Sequence, residues 1–328
     1  MSPEAKEAQD SRRNEMPEKQ RVALRKAIKL EWATIAWVLF SIVLVGVVAG
    51  QSQAMRSAWI EDMLSLVPPI AFLLASRISK AVATRKHPYG KHRSIAIGHQ
   101  AAAMALLIMG SLLIYEAVSA LIKGERPPIG LAILFGHDVW SGWLMIGVMI
   151  LVSIPMVVVG RIKIHLAKDL HDKLLYADAD MAKADWGTAV ASTVGVLGIG
   201  LGFWWADAVA ALVISASILR DGVINMKAAI SDLGDGRAMT YDNSAPHPLN
   251  DDVEKAALEM HWVKHARARI RDQGRCFHTE LFVEPVEGYT PAPEEITSLV
   301  KQIQDLDWKL QDVVVSIVEK IDRLQAPS

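Results

Sequence analysis

The sequence has very little cysteine and almost no net charge. Its single cysteine, Cys276, excludes a disulfide framework and a Cys-based metal cluster within one chain. Lys and Arg number 35 against 36 Asp and Glu, so no bulk basicity indicates binding to nucleic acid. The first 28 residues contain no apolar stretch of the kind that a cleaved secretory signal requires. By contrast, hydrophobic residues are abundant. They make up 52% of the sequence, a composition that favours a polytopic membrane protein.

Six long apolar segments dominate the first two thirds of the chain. Because only helices and closed barrels satisfy their own backbone in lipid, an apolar stretch of roughly 20 residues is a candidate span. The segments cover residues 31–50, 54–80, 94–122, 139–160, 174–201 and 206–229. We therefore predict a mainly α-helical protein with a six-helix transmembrane domain over residues 31–233, preceded by a charged tail over residues 1–30.

Lys and Arg are concentrated in alternate connections between these segments. The N-terminal tail, the second connection and the fourth connection are rich in them, and Lys163 belongs to the fourth. The remaining connections hold only Arg56, then Lys123 and Arg126. By the positive-inside rule both termini are expected in the cytoplasm, and we expect a bacterial inner membrane as the host bilayer.

The chain changes character after Leu233. A segment rich in Gly, Asn, Pro and Ser, residues 234–250, is predicted to be a linker. Asp251 followed by Glu254 resembles a capping box at the start of a helix. Further patterns predict strands at residues 265–271 and 276–284, a helix at 293–306 and a strand at 313–318. Residues 251–328 are therefore expected to form a small cytoplasmic αββαβ domain.

Three local motifs carry a resemblance to a known family. The loop before the third segment reads HPYGKHR from His87 to Arg93, Ala177-Asp178 opens the fifth segment, and Trp205-Ala206-Asp207-Ala208 opens the sixth. With the six segments and the αββαβ domain, these motifs resemble the cation diffusion facilitator (cation efflux) family. The resemblance implies a transporter that exports a divalent cation (Mn, Fe, Co, Mg or Zn) in exchange for protons by alternating access. It also implies a homodimer joined by its C-terminal domain, with no cofactor and no covalent chemistry.

The resemblance also implies where the cation binds. The family sets a D-xxx-D pair on its second helix against H-xxx-D on its fifth. Counting from the motifs maps the first pair onto Glu61 and Ser65, and the second onto Met181 and Asp185. Residues four apart share one helix face. A hydroxyl and a thioether thus replace a carboxylate and an imidazole, which weakens a zinc-specific assignment. Two carboxylates together with neutral oxygens suit harder ions such as Mn²⁺ or Mg²⁺.

Two prolines within the second segment add a candidate ligand. Pro68 and Pro69 leave the backbone carbonyls of Leu64 and Ser65 without their helical donors. Broken helices in transporters use such carbonyls to bind cations, which makes Leu64 a candidate. Alternatively the prolines only kink the helix, and a neighbouring Ser or a water satisfies the oxygens.

Asp178 and His87 are weaker candidates, and Asp180 ranks below them. Asp178 lies on the same helical stripe as the fifth-helix pair. It either guides cations inward or caps the start of the helix, where it faces water. Asp180 points to another face, where Lys183 is within pairing distance. His87 belongs to a loop that carries a second metal site in relatives, although a lone loop histidine is more often structural.

The altered site leaves two functions open. One is divalent cation transport through a modified site. The alternative is a non-transporting structural or regulatory member of the same family that has lost its site. A membrane-embedded enzyme is a third interpretation, but the sequence offers no nucleophile–base pair and no cofactor motif for it.

Overall fold

The computed structural model describes residues 16–49, 62–81, 83–124, 131–134 and 137–321. Within them, six helices occupy the N-terminal two thirds in the predicted order, and a short antiparallel hairpin joins the third to the fourth. These elements are α1 Glu18–Ala49, α2 Val67–Ile78, α3 Ser94–Lys123, β1 Leu131–Leu134, β2 His137–Trp140, α4 Ser141–Leu170, α5 Lys173–Gly200 and α6 Ala206–Leu233. The mainly helical class is confirmed.

Two of the described helices, α3 and α6, are long and apolar enough to cross a membrane by length and composition. Helix α2 has only 12 residues. The first half of α5 carries charged side chains, which lower its mean hydropathy. These charged residues are Lys173, Asp178, Asp180, Lys183 and Asp185. The arrangement of all six helices as spans stays a prediction.

The second predicted segment, 54–80, is interrupted within the described residues. Residues 62–64 are helical, a turn follows at Ser65, and α2 begins two residues later. Pro68 and Pro69 occupy the first turn of α2, where a helix lacks intrahelical N–H partners in any case. The prolines therefore begin a new helix, and their predicted place inside a continuous one is wrong.

Helices α1 and α4 extend beyond their predicted segments. Helix α1 begins at Glu18, inside the predicted charged tail, and its Ala23 and Ala27 are buried against the other helices. Helix α4 continues past residue 160 to Leu170. Lys163, which the sequence assigned to a connection, therefore lies within a helix.

Helices α3 and α6 approach each other closely, because glycines face the partner helix. A Cβ at Gly110 of α3 would lie 2.8 Å from the backbone N of Leu219 on α6. A Cβ at Gly222 of α6 would lie 3.0 Å from the backbone N of Leu107 on α3. Small residues at such crossings allow backbone-to-backbone packing, which fixes the spacing of this pair.

The C-terminal part has the predicted αββαβ order. Its elements are α7 Leu249–Leu258, β3 Val263–Gln273, β4 Cys276–Pro285, α8 Pro293–Leu306 and β5 Asp312–Ile317. The sheet order is β3-β4-β5, with β3 antiparallel and β5 parallel to β4. Alternate side chains of β4, those of Phe277, Thr279, Leu281 and Val283, are fully buried at 0% exposure, as one face of a half-buried strand requires.

Two details of this domain differ from the prediction. Helix α7 begins at Leu249, so Asp251 does not cap it, and the carboxylate of Glu254 accepts instead from the backbone N–H of Ala268 at 2.9 Å. In the predicted linker, the buried Ala238 donates its backbone N–H to the Ile270 carbonyl at 2.8 Å. This segment is packed against β3.

Candidate cation site

Ser65 lies at the turn that precedes α2, with 4% of its surface exposed. Its hydroxyl donates to the backbone carbonyl of Asp62 at 2.9 Å. A hydroxyl that donates its proton keeps two lone pairs on oxygen, and those are the atoms that a cation needs. A polar oxygen at a helix break is thus chemically suited to bind a cation.

The residues on either side of Ser65 pack against an apolar cluster formed by α3, α5 and α6. Leu64 and Val67, on either side of Ser65, contact an apolar cluster that includes Met181 and Ala184 of α5. Met181 itself is 1% exposed, and Asp185 follows it by one helical turn at a half-buried position. The residues on either side of Ser65 therefore pack against the same apolar cluster to which Met181 belongs.

Glu61, the remaining residue of the predicted site, lies outside the described residues. Within the described ranges, no three His, Cys, Asp or Glu side chains form a group that could hold a metal. The described members of the predicted site are one carboxylate, Asp185, with a hydroxyl and a thioether. The four-residue site and the Leu64 carbonyl ligand both stay predictions.

A buried ion cluster, here called the core triad, joins three helices near this site. It consists of Glu31 on α1, Lys163 on α4 and Asp178 on α5. The Lys163 Nζ lies 2.8 Å from Glu31 Oε2 and 2.7 Å from Asp178 Oδ2, and the side chains of Glu31 and Lys163 are fully buried. Asp178 thus has a protein partner, and its role as a guide for cations stays a prediction.

The sequence missed two members of the core triad for identifiable reasons. Glu31 is the first residue of the predicted apolar segment 31–50, where nothing in the local pattern indicates a buried partner. Lys163 was counted with the connection charges. An ionisable residue at such a depth is expected to face a partner, because an unpaired charge there is very costly.

A second cluster of polar side chains links α3, α5 and α6. The amide of Asn225 donates to Asp180 Oδ2 at 2.9 Å and to the carbonyl of Asp221 at 2.9 Å, and its Oδ1 lies 3.1 Å from His99 Nε2. Since that amide oxygen must accept, His99 donates from Nε2. Lys183 forms its ion pair with Asp221 at 2.6 Å, while Asp180 accepts from Asn225.

A third group joins the helices to the C-terminal domain. The turn between β3 and β4 reaches the start of α5, where Arg275 lies 2.6 Å from Asp172 Oδ2 and 2.7 Å from Ser76 Oγ of α2. Asp172 also caps α5 by accepting from the Leu175 backbone N–H at 3.0 Å. The guanidinium of Arg275 lies 5.4 Å from the ring centre of Phe72, a cation–π contact.

The same junction contains a second buried lysine. Lys173 Nζ lies 2.7 Å from Asp232 Oδ1 at the end of α6 and 2.9 Å from Asp272 Oδ2 at the end of β3. Burial raises the pKa of Asp272, but the neighbouring His171 and Lys173 outweigh it and hold that pKa below the ordinary value. The side chains of this region are called the junction network below: Ser76, Asp172, Lys173, Asp232, Asp272 and Arg275.

A family model decides the identity of the helical part. The model of the cation efflux transmembrane domain matches residues 32–233, more than half of the 328-residue chain. The chain belongs to the cation efflux family. Membership makes this cation efflux protein an integral membrane protein and a transporter of metal cations, as the motifs indicated.

Three relatives agree with this assignment. This cation efflux protein is 25% identical over 235 residues to the manganese efflux system protein MneS of Bacillus subtilis, covering 71% of this chain and 74% of the relative. It is 24% identical over 277 residues to the uncharacterized transporter YdbO of the same organism, covering 83% and 89%. It is 23% identical over 273 residues to the uncharacterized transporter MJ0449 of Methanocaldococcus jannaschii, covering 83% and 86%.

In this cation efflux protein, His87 lies in an exposed loop between α2 and α3. Its backbone N–H donates to Thr84 Oγ1 at 3.2 Å. Neighbouring His92 is more buried, and burial lowers its pKa below the ordinary value. No metal-binding group among the described residues includes either histidine. Metal binding at His87 stays a prediction.

Proposed function

We propose that this cation efflux protein exports a divalent cation from the cytoplasm in exchange for protons. The cation site consists of Glu61, Ser65, Met181 and Asp185. One observation supports it above the others: the residues on either side of Ser65 pack against the apolar cluster to which Met181 belongs, and Asp185 follows Met181 by one helical turn.

The chemistry of the exchange follows from the two carboxylates. A bound divalent cation favours ionised Glu61 and Asp185, whereas an empty buried site favours their protonated forms. Cation release on one side is therefore accompanied by proton uptake on the same side. The Ser65 oxygen and the Met181 sulfur complete the coordination.

We propose Mn²⁺ as the preferred cation. Carboxylate and hydroxyl oxygens suit Mn²⁺ better than they suit Zn²⁺, which favours His and Cys ligands in closed sites. The name of one relative, a manganese efflux system protein, supports the same choice.

The assembly and orientation follow from the same proposal. The six predicted segments, of which α2 forms only part of the second, span a bacterial inner membrane, and both termini lie in the cytoplasm. Two copies associate through the C-terminal domain. Cysteine labelling from outside should reach a cysteine introduced at Ser141 and miss one at Ser94; the reverse pattern contradicts this orientation.

Cation preference provides the test of the site. Reconstitute the wild type and the double variant Ser65→Asp with Met181→His, which restores the ligand types of the family, and measure uptake of Mn²⁺ and Zn²⁺. The wild type should favour Mn²⁺, and the double variant should shift at least tenfold toward Zn²⁺. An unchanged preference places the site elsewhere. An inert wild type with an active double variant supports the non-transporting alternative.

A further inference from the structure

A cavity of about 520 Å³ lies where the α2–α3 loop meets the β3–β4 turn. Its walls come from loop residues on one side and from Arg271 and Gln273 of β3 on the other. The proposed cation site and the core triad contribute no residue to it. It is a separate feature of the molecule.

The cavity is lined by basic residues and by no acidic one. Its permanently charged lining residues are Lys86, Lys91, Arg93 and Arg271, and two histidines accompany them. Asp235, outside the lining, pairs with Arg93 and lies 3.1 Å from Arg271 Nη1. Within the described part of the chain, neither lysine forms an ion pair. The cavity therefore carries excess positive charge, which attracts an anion.

The cavity opens beside apolar residues at the end of a membrane helix. Ile78, at the C-terminal end of α2, is 44% exposed, and Ile97, in the first turn of α3, is 59% exposed. Tyr89 on the loop is 67% exposed. Because α3 is one of the helices long enough to cross a membrane, its first turn lies near the membrane surface, where tyrosines are enriched.

We propose that this cavity binds the headgroup of an anionic phospholipid. The phosphate lies between Lys86, Lys91 and Arg271, and an acyl chain runs along Ile78 and Ile97. Basic pockets at the ends of membrane helices have the charge and position for such lipids. A soluble phosphate would use the charges alone, whereas the exposed isoleucines fit only a ligand with an apolar part.

Direct lipid binding tests the proposal. Purify the full-length protein in a neutral detergent and titrate it with phosphatidylglycerol, phosphatidylcholine or inorganic phosphate, recording bound lipid by native mass spectrometry. Compare the wild type with Lys86→Gln/Lys91→Gln. The matched control is Arg161→Gln/Lys168→Gln, which removes the same charge from two exposed residues of α4 outside the cavity. A third variant, Ile97→Ser, alters the apolar wall without changing charge.

Phosphatidylglycerol should bind the wild type and the control equally, and phosphatidylcholine should bind weakly. The lysine variant should bind phosphatidylglycerol about thirtyfold more weakly, given roughly fivefold for each basic residue near an anionic lipid. Ile97→Ser should also weaken binding. The proposal is overturned if the lysine variant and the control bind alike, if Ile97→Ser binds like the wild type, or if inorganic phosphate displaces the lipid at equal concentration, which indicates a soluble-anion site.

Discussion

The core triad and the junction network use similar ion pairs in different surroundings. In the core triad, one ammonium lies between two carboxylates of α1 and α5, and all three side chains are buried inside the helical part. In the junction network, Arg275 and Lys173 connect the helices to the β3–β4 turn. The first group holds helices to one another, and the second holds a domain to the helices.

The core triad and the junction network differ in how many additional contacts join the same parts of the molecule. The described contacts of Lys163 are the two carboxylates of the core triad. The junction is reinforced by Arg93, which donates to the Leu233 carbonyl at 3.2 Å and pairs with Asp235. Loss of one ion pair should therefore destabilise the protein more in the core triad than in the junction network.

The largest effect is expected for Lys163→Met. It leaves two buried carboxylates without their cation, and breaking a buried pair in this way costs about 3–5 kcal/mol. The variant should fold poorly, as measured by the yield of monodisperse protein in detergent. Lys183→Met is the control, because Lys183 is half exposed beside Asp221. Its replacement should lower the free energy of unfolding by under about 1 kcal/mol.

A neutral triad distinguishes lost charge from lost shape. The combination Glu31→Gln, Lys163→Met and Asp178→Asn removes all three charges while keeping similar volumes. It should recover most of the folding yield lost by Lys163→Met, since a neutral buried group is often as stable as an ion cluster. If the triple variant folds no better than Lys163→Met, charge imbalance is not the cause of the defect.

A smaller effect is expected for Arg275→Met at the junction. The change removes charged hydrogen bonds to Asp172 and Ser76 but keeps an apolar contact with Phe72, and the rest of the junction network still joins the domain to the helices. Amide hydrogen exchange of the β3–β4 turn should accelerate while α1 remains protected. Arg267→Met on the exposed face of β3 should leave exchange unchanged, and equal acceleration in both variants would contradict the junction role.

Acidification should lower the stability of the protein by a smaller amount, through His247, whose ring contacts that of His171 at 5.3 Å between centroids. Burial, then the nearby charge of His171, lower the pKa of His247 to about 4 from its ordinary 6.5. Between those values the unfolded chain binds more protons than the folded one, so stability is full above pH 6.5 and falls as the pH drops toward 4. The melting temperature of His247→Gln should depend less on pH over this range. An identical dependence in both proteins argues against His247.

The sequence predicted elements whose signals are local. The third segment, 94–122, matches α3, and the predicted helix 293–306 matches α8 residue for residue. Long apolar runs and acidic first turns suffice for such elements. The break before α2 was also foreshadowed by Pro68 and Pro69, but a proline pair fits both a kink and a helix start, and tertiary packing decides between them.

The buried charge groups could not be predicted because their partners are distant in sequence. Lys163 lies 132 residues from Glu31, and Arg275 lies 103 residues from Asp172. Local patterns carry no signal for such pairs, so the charges were attributed to connections and exposed surfaces. The candidate site was located by motif counting, and the packing of Leu64 and Val67 against the apolar cluster that includes Met181 is structural information that motif counting lacks.

One measurement tests the cation site most directly. Reconstitute the wild type, Asp185→Asn and Asp221→Asn into vesicles, impose a Mn²⁺ gradient and record the pH inside with a trapped dye. Asp221 is the matched control because its carboxylate lies on α6, beside Lys183 and outside the proposed site. The wild type and Asp221→Asn should couple Mn²⁺ movement to proton movement. In Asp185→Asn the coupled proton flux should fall at least tenfold. Coupled flux in Asp185→Asn equal to that of the wild type contradicts the proposed site.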